Sequence, residues 1–199
     1  MDYLNTVIIR NGRQDDDNKK IARLIMISAE EYFPYVYGQN IETAIEEMFK
    51  KKGNIFCHDN IIVAEKNGEI VGAAMCFEKS QDNLKNTLAF LRYCFLGIAS
   101  HPVRTIRCTS QIANFKSDEF YLSNVAIDPG YQGQGMFSLM QKKIEKKASE
   151  KGYRKVVLDV ETKKTIDVAI YKKCGFKIIR KINLAPFPFC FYRMEKKLE

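Results

Sequence analysis

The stretch from Phe120 to Val160 leaves few folds open. Phe120 to Ile127 reads as a strand, followed by a turn carrying Gly130, Gly133 and Gly135. From about Gly135 to Lys151 the apolar residues Met136, Met140, Ile144 and Ala148 recur at helical spacing, and Gly152 supplies the stop. Val156 to Val160 is then an apolar run, the pattern of a strand covered on both faces. Strand, helix and strand in this order predict a β-α-β unit with parallel strands and a right-handed crossover.

The remaining chain supplies partners for that unit. Thr6 to Arg10 is a short β-branched run. Asp17 or Asn18 can cap a helix with Ile21, Leu24, Ile25 and Ser28 on one face. Glu30 to Gly38 is rich in aromatics and is expected to break at Pro34. A helix is predicted from Ile41 to Lys52, and two strands, Ile61 to Glu65 and Glu69 to Phe77, flank the hairpin signal Asn67-Gly68. Leu84 to Leu96 reads as helical, and His101 to Ser117 as an irregular connection. A helix ending near Cys174-Gly175 precedes two closing strands, Lys177 to Ile182 and Phe189 to Lys196. We expect one domain over residues 1–199, with residues 80–117 as an insertion that serves as a lid, a dimer contact or a satellite core around Phe90, Tyr93 and Phe95.

Composition excludes several classes. The N-terminus lacks a basic cluster followed by an apolar stretch, and Arg92 interrupts the most apolar segment, so neither an export signal nor a membrane span is expected. Six cysteines without a C-x-x-C pair suit reduced thiols in a cytoplasmic protein, and the two histidines lack metal-ligand spacing. No metal is expected. A net charge of +8 suits a polyanionic partner or a solvated surface. A phosphorylated cofactor fits better than nucleic acid, for which no finger, helix-turn-helix or aromatic-basic signature is visible. Lys142, Lys143, Lys146 and Lys147 form a basic run that is either a solvated face or a phosphate contact.

The turn Asp128-Pro129-Gly130-Tyr131-Gln132-Gly133-Gln134-Gly135-Met136-Phe137 is suited to an anion. Glycines remove side chains where amides must approach it, and the following helix aims its unpaired amides and dipole at one point. Glycine spacing and the lack of a ribose-reading acid exclude a Rossmann fingerprint.

The string VAIDPGYQGQG with its amphipathic helix resembles motif A of the GNAT superfamily of N-acetyltransferases, Q/R-x-x-G-x-G/A. Gln132, Gly133 and Gly135 match, and Phe137 replaces the final small residue. The resemblance implies a mixed, twisted α/β (α+β) sheet of about six to seven strands flanked by helices. It implies that the backbone of Gln132, Gly133, Gln134, Gly135, Met136 and Phe137 holds the pyrophosphate of acetyl-CoA, the acetyl donor. Val125, Ala126 and Ile127 would border the pantetheine arm. Ala169 to Phe176 resembles the family's other recurrent stretch and makes Tyr171 the general acid for the departing thiolate, while Lys164 stands where asparagine is frequent.

The same resemblance implies acetyl transfer to a primary amine, small-molecule or peptide, in a ternary complex. A lysine-like amine is neutral in only about one molecule in 2,500 at pH 7, so a base is useful. The family's glutamate position on the strand before motif A is Tyr121 here, leaving Glu119 and Glu161 as candidates. Glu30, Glu31, Tyr32 and Tyr35 are candidate acceptor contacts, against the alternative of a hydrophobic plug, and Ala185 to Pro188 would form the other wall. Two other readings stay open: a non-catalytic acyl-CoA-binding sensor or scaffold of the same fold, and a basic nucleic-acid binder. A homodimer is compatible with the sequence.

Overall fold

A computed structural model describes residues 7–79 and 101–198. Seven strands form one sheet in the order β1-β2-β3-β4-β5-β7-β6: β1 Val7–Asn11, β2 Ile61–Lys66, β3 Glu69–Phe77, β4 Phe120–Ile127, β5 Lys155–Glu161, β6 Lys177–Asn183 and β7 Cys190–Lys197. Every neighbouring pair is antiparallel except β4 and β5, the parallel pair expected of the β-α-β unit. Asn67 and Gly68, both at positive φ (54° and 82°), turn β2 into β3 as the primed hairpin turn requires.

Among the described residues six α-helices cover the two faces: α1 Asn18–Ser28, α2 Tyr32–Tyr37, α3 Ile41–Phe49, α4 Pro102–Gln111, α5 Met136–Glu150 and α6 Thr165–Lys173. Side chains alternate along each strand, so each face collects its own core. On one face Ile21, Leu24 and Ile25 of α1 and Ile45 of α3 pack with Val63, Met75, Tyr121 and Val157. On the other, Met136, Met140, Ile144 and Ala148 of α5 meet Ala64, Ala74, Leu122 and Leu158. Gly72 lets α5 sit close, because a Cβ there would stand 2.8 Å from Ile127 Cδ1 and 3.3 Å from Met140 Sδ. At the start of α1, the Asp17 carboxylate accepts from the Lys20 amide at 3.0 Å, capping the helix.

Two expectations are corrected. Residues 32–37 form α2 despite Pro34, which lies in the first turn where its missing N–H costs no helical bond. Pro102–Gln111 is the helix α4 rather than irregular chain; only Thr105 and Cys108 of it are buried, so its pattern has no apolar stripe. The Thr105 hydroxyl donates to the Val36 carbonyl at 2.9 Å and ties α4 to α2. The expected helix over Leu84 to Leu96, the cluster of Phe90, Tyr93 and Phe95, and Cys94 lie outside the described residues, as does most of the insertion expected over 80–117. The other five cysteines are free, and burial pushes the Cys76 thiol up to about 11. No helix among the described residues is long and apolar enough to cross a membrane.

Candidate active site

β4 and β5 are paired only at their starts, through Phe120↔Val156, Tyr121↔Val157 and Leu122↔Leu158. On its other edge β4 carries a bulge: Cys76 faces Leu122 and Met75 faces Asn124, leaving Ser123 as the extra residue. A bulge bends its strand. Beyond it the two strands part, and a cavity of about 1180 Å³ opens between Ser123–Ile127 and Asp159–Glu161. On this side the backbone groups of Val125 and Ile127 have no strand partner, while β3 holds the opposite edge, to which Ala126 turns. Such groups want a hydrogen-bonding partner, and an extended amide-bearing ligand can supply it.

The glycine turn lies at one end of this cavity, which Gln132, Gly133, Gly135, Met136 and Phe137 line. Its entry is fixed by the Asp128 amide donating to the Val71 carbonyl (2.8 Å) and by Asp128 Oδ1 accepting from the Gly130 amide (3.2 Å). Asp128 also pairs with Lys20, and Gln132 Nε2 donates to the Ile127 carbonyl at 3.0 Å. Gly133 and Gly135 have φ of 75° and 76°, and a Cβ at either would meet nothing within 4 Å. Gly135 is the N-cap of α5 and contributes no capping side chain. The first amides of α5 therefore face open space at the positive end of the helix dipole. Lys66 adds a cation, bonded to Gln134 Oε1 at 3.0 Å and 5.5 Å from the Tyr131 ring centroid. These residues fit a pyrophosphate.

None of Lys142, Lys143, Lys146 and Lys147 lines this cavity. Lys147 donates to the Asp59 carbonyl at 2.7 Å and Lys146 lies 3.8 Å from Glu150, both along the later turns of the helix. Nor does Lys164 face the turn: its amine donates to the Ser28 carbonyl at 2.7 Å, tying the start of α6 to the end of α1.

Tyr171 of α6 lines the same cavity. Its ring packs edge-on against Phe137 (5.6 Å between centroids) and Phe176 (5.7 Å). Phe137, the bulky residue at the family's small position, thus forms a wall beside the tyrosine. Burial, reinforced by the Asp167 charge, pushes the Tyr171 phenol above its ordinary range. It stays protonated at working pH and can donate.

The two candidate bases part company. Glu119 precedes β4 and turns away: its carboxylate accepts from the Lys116 amide at 2.7 Å, lies 3.4 Å from Lys155, and does not line the cavity. Glu161 does line it, with only 6% of its side chain exposed and Lys163 at 3.3 Å. Tyr121, at the family's glutamate position, donates to Asp159 Oδ2 at 3.0 Å. Asp159 was hidden inside what reads as an apolar run. It is paired with Arg193 of β7, Nη2 to Oδ2 at 2.7 Å, with side chains 1% and 4% exposed. The Ala113 amide also donates to Asp159 (3.0 Å) and Arg193 Nη1 donates to the Asn114 carbonyl (2.8 Å), so the pair ties the segment after α4 to the sheet. Burial disfavours the Arg193 charge, but the bonds to Asp159 outweigh it and hold the guanidinium above its usual range.

Of the candidate acceptor contacts, Tyr32 alone lines the main cavity. It is 4% exposed, its ring packs edge-on against Phe189 (5.2 Å) and Phe191 (5.1 Å), and its hydroxyl has no hydrogen-bond partner among the described residues. Glu30, Glu31 and Tyr35 line a separate, shallower groove with Arg104, which stacks 4.5 Å from the Tyr35 centroid. Glu31 pairs with Lys163. Of the segment 185–188, Phe187 packs on Tyr35 and none of the four lines the main cavity. Among the described residues no group of three or more His, Cys, Asp or Glu is placed to hold a metal ion.

A splayed parallel strand pair beside an uncapped, glycine-led helix defines an α/β protein with an extended cleft that ends at a turn suited to an anion. The chain belongs to the Acetyltransferase (GNAT) family, whose model matches residues 21–176. No curated protein matches it in sequence. An N-acetyltransferase from Staphylococcus aureus Mu50 is similar at a TM-score of 0.73 and 18% identity, over 94% of this chain and 99% of that one. A GNAT family acetyltransferase from Elizabethkingia anophelis with acetyl-CoA bound gives 0.60 at 14% identity, over 96% and 98%. The ribosomal-protein-S18-alanine N-acetyltransferase from Escherichia coli gives 0.59 at 15% identity, over 98% and 95%. At these identities the likeness is one of fold, and fold alone does not name a substrate.

Proposed function

We propose that the protein transfers the acetyl group of acetyl-CoA to a primary amine bound in the same cavity, without a covalent enzyme intermediate. One observation carries this reading: the unpaired edge of β4, the open amides of α5 and the Tyr171 ring border one continuous cavity that also reaches Glu161. The amides of Gln132 to Phe137, with Lys66, would hold the pyrophosphate, and the edge of Val125 to Ile127 the pantetheine arm. Bound there, acetyl-CoA supplies the acetyl group as an activated thioester.

The residues of this chain then manage protons. As the C–N bond forms and the C–S bond breaks, one proton leaves the amine and one must reach the thiolate. Glu161, directly or through water, is the candidate to accept the first, since Glu119 is turned away and Asp159 is committed to Arg193. Tyr171 is the candidate to give the second. Taking a free thiol at about 8.5 and a tyrosine at about 10, that transfer is uphill by roughly 2 kcal/mol even before burial. An enclosed thiolate is itself a stronger base, because the same desolvation disfavours its charge. The free cysteines support a reducing, cytoplasmic setting.

The test is release of free coenzyme A thiol from acetyl-CoA in the presence of a panel of primary amines. Amine-dependent release is expected. Tight acetyl-CoA binding with no release for any amine would instead support an acyl-CoA-binding module, the reading that the tyrosine at position 121 favours.

A further inference from the structure

We infer that the acceptor is a monoamine carried on an apolar body, its ammonium met by Glu161 and the Tyr32 hydroxyl and its body by the aromatic end of the cavity. This rests on the transfer reading above. Away from the glycine turn the cavity runs beneath α1, α2 and α4. Its lining there includes the rings of Tyr32, Phe56, Phe77, Phe115, Tyr121 and Phe191, all buried.

Charge at this end is sparse. Asp159 is matched by Arg193, Tyr121 and the Ala113 amide. Glu161 differs, since its one cation, Lys163, is half-exposed and shared with Glu31. One carboxylate is therefore open to one cation. The third carboxylate of the lining, Asp167, is exposed on the first turn of α6 beside Tyr171. Among the described residues a second ammonium at the aromatic end would therefore meet no free carboxylate, and burying an unpaired charge costs several kcal/mol. The ring faces offer little help, because Phe115 and Tyr121 stack on each other at 4.8 Å. Lys79 already lies 5.3 Å from the Phe115 centroid and Arg193 5.9 Å from that of Tyr121. Lys164, bound to the Ser28 carbonyl, adds like charge against a polycation.

An independent observation points to a ligand. The Tyr32 hydroxyl is buried with no partner among the described residues, and a buried polar group left unmatched is uncommon in a folded protein. The Tyr32 ring packs on Phe191, which stands opposite Glu161 across the β5–β7 pair, and both Tyr32 and Glu161 line the cavity, so the hydroxyl and this carboxylate share one corner. A ligand that donates to it or accepts from it completes the corner.

The experiment compares ethylamine, isopentylamine, 2-phenylethylamine and spermidine at saturating acetyl-CoA. With about fourfold gained per buried methylene, kcat/KM for isopentylamine should exceed that for ethylamine by roughly 60-fold. Isopentylamine and 2-phenylethylamine should both lead spermidine by at least about tenfold. Equal values for ethylamine and isopentylamine, or spermidine in the lead, would overturn the inference while leaving acetyl transfer intact. Should no amine be acetylated, transfer itself fails, and calorimetric titration of 2-phenylethylamine into the CoA-saturated protein still decides: tighter binding than ethylamine supports the apolar pocket, and no binding overturns it. Tyr32→Phe gives a second readout. It keeps the ring packing and removes a hydroxyl that bonds nothing among the described residues, so the free protein should melt no lower than wild type. The KM for 2-phenylethylamine should rise about fivefold with kcat nearly unchanged. A lower melting temperature with unchanged KM would make the hydroxyl structural and overturn its part in the site.

Discussion

At the α5 end of the cavity the groups that face a ligand are backbone atoms, whereas beneath α1, α2 and α4 they are side chains from distant parts of the chain. The glycine turn and the free edge of β4 come from one continuous stretch, Val125 to Phe137. The end proposed for the acceptor draws Tyr32 from α2, Phe56 from the segment before β2, Thr105 from α4 and Phe191 from β7. A site built of backbone tolerates wide change in side chains as long as glycine stays where φ is positive. A site built of side chains changes its ligand with each substitution. That contrast suits an enzyme family that keeps one donor and varies the acceptor.

Tyr171 lines the cavity beside Phe137, and its removal should have the largest effect. For Tyr171→Phe we expect single-turnover transfer at saturating acetyl-CoA to slow by about 10²- to 10⁴-fold, with acetyl-CoA affinity within a few-fold of wild type. Because burial raises the phenol, it stays protonated through neutral and mildly alkaline pH. The wild-type rate should therefore rise as the amine loses its proton, with no falling limb below the ordinary tyrosine range. A hydroxyl that only contacts the donor would cost nearer 1 kcal/mol, and in binding rather than turnover. Such a result would assign Tyr171 to the donor end alone.

The buried Asp159–Arg193 pair tests whether the two ends are separable. Asp159→Asn leaves the guanidinium charge buried and unmatched, which should cost about 3–5 kcal/mol in denaturant unfolding. Combining it with Arg193→Met should cost less than the single change, since the orphaned charge goes too. In the folded fraction of either variant, acetyl-CoA should still bind, because neither residue lies at the turn. Equal loss of donor and acceptor binding would show that the ends are one mechanical unit.

The same contrast explains what could be read from the sequence. The β-α-β unit, the hairpin at Asn67-Gly68 and the glycine turn are local, and spacing with turn chemistry is enough to place them. Glu161 was within reach as the carboxylate ending β5. The pairing of Asp159 with Arg193 was not, because it depends on β5 and β7 lying side by side in the register that sets Asp159 opposite Arg193. A lone aspartate inside an apolar strand was the available signal, since a buried charge demands a partner. Glu119 illustrates the reverse error. It has the right residue type close to β4, but the turn before the strand satisfies its carboxylate locally. Residues 102–111 hid their helix by burying just Thr105 and Cys108, too little to imprint a period.

The most direct test of the account is acetyl-CoA binding when a side chain is placed over the turn. At a free concentration of about 100 times Kd, acetyl-CoA should stabilise the wild type by about 2.7 kcal/mol, a rise in melting temperature of roughly 5–10 °C. Gly135→Asn is the informative variant: asparagine tolerates the left-handed backbone at φ of 76°, and its Cβ meets no protein atom within 4 Å. The free variant should melt near wild type, and the acetyl-CoA shift should vanish, as it should for Gly133→Asn. An undiminished shift in both variants would contradict the account and put the donor elsewhere on the protein.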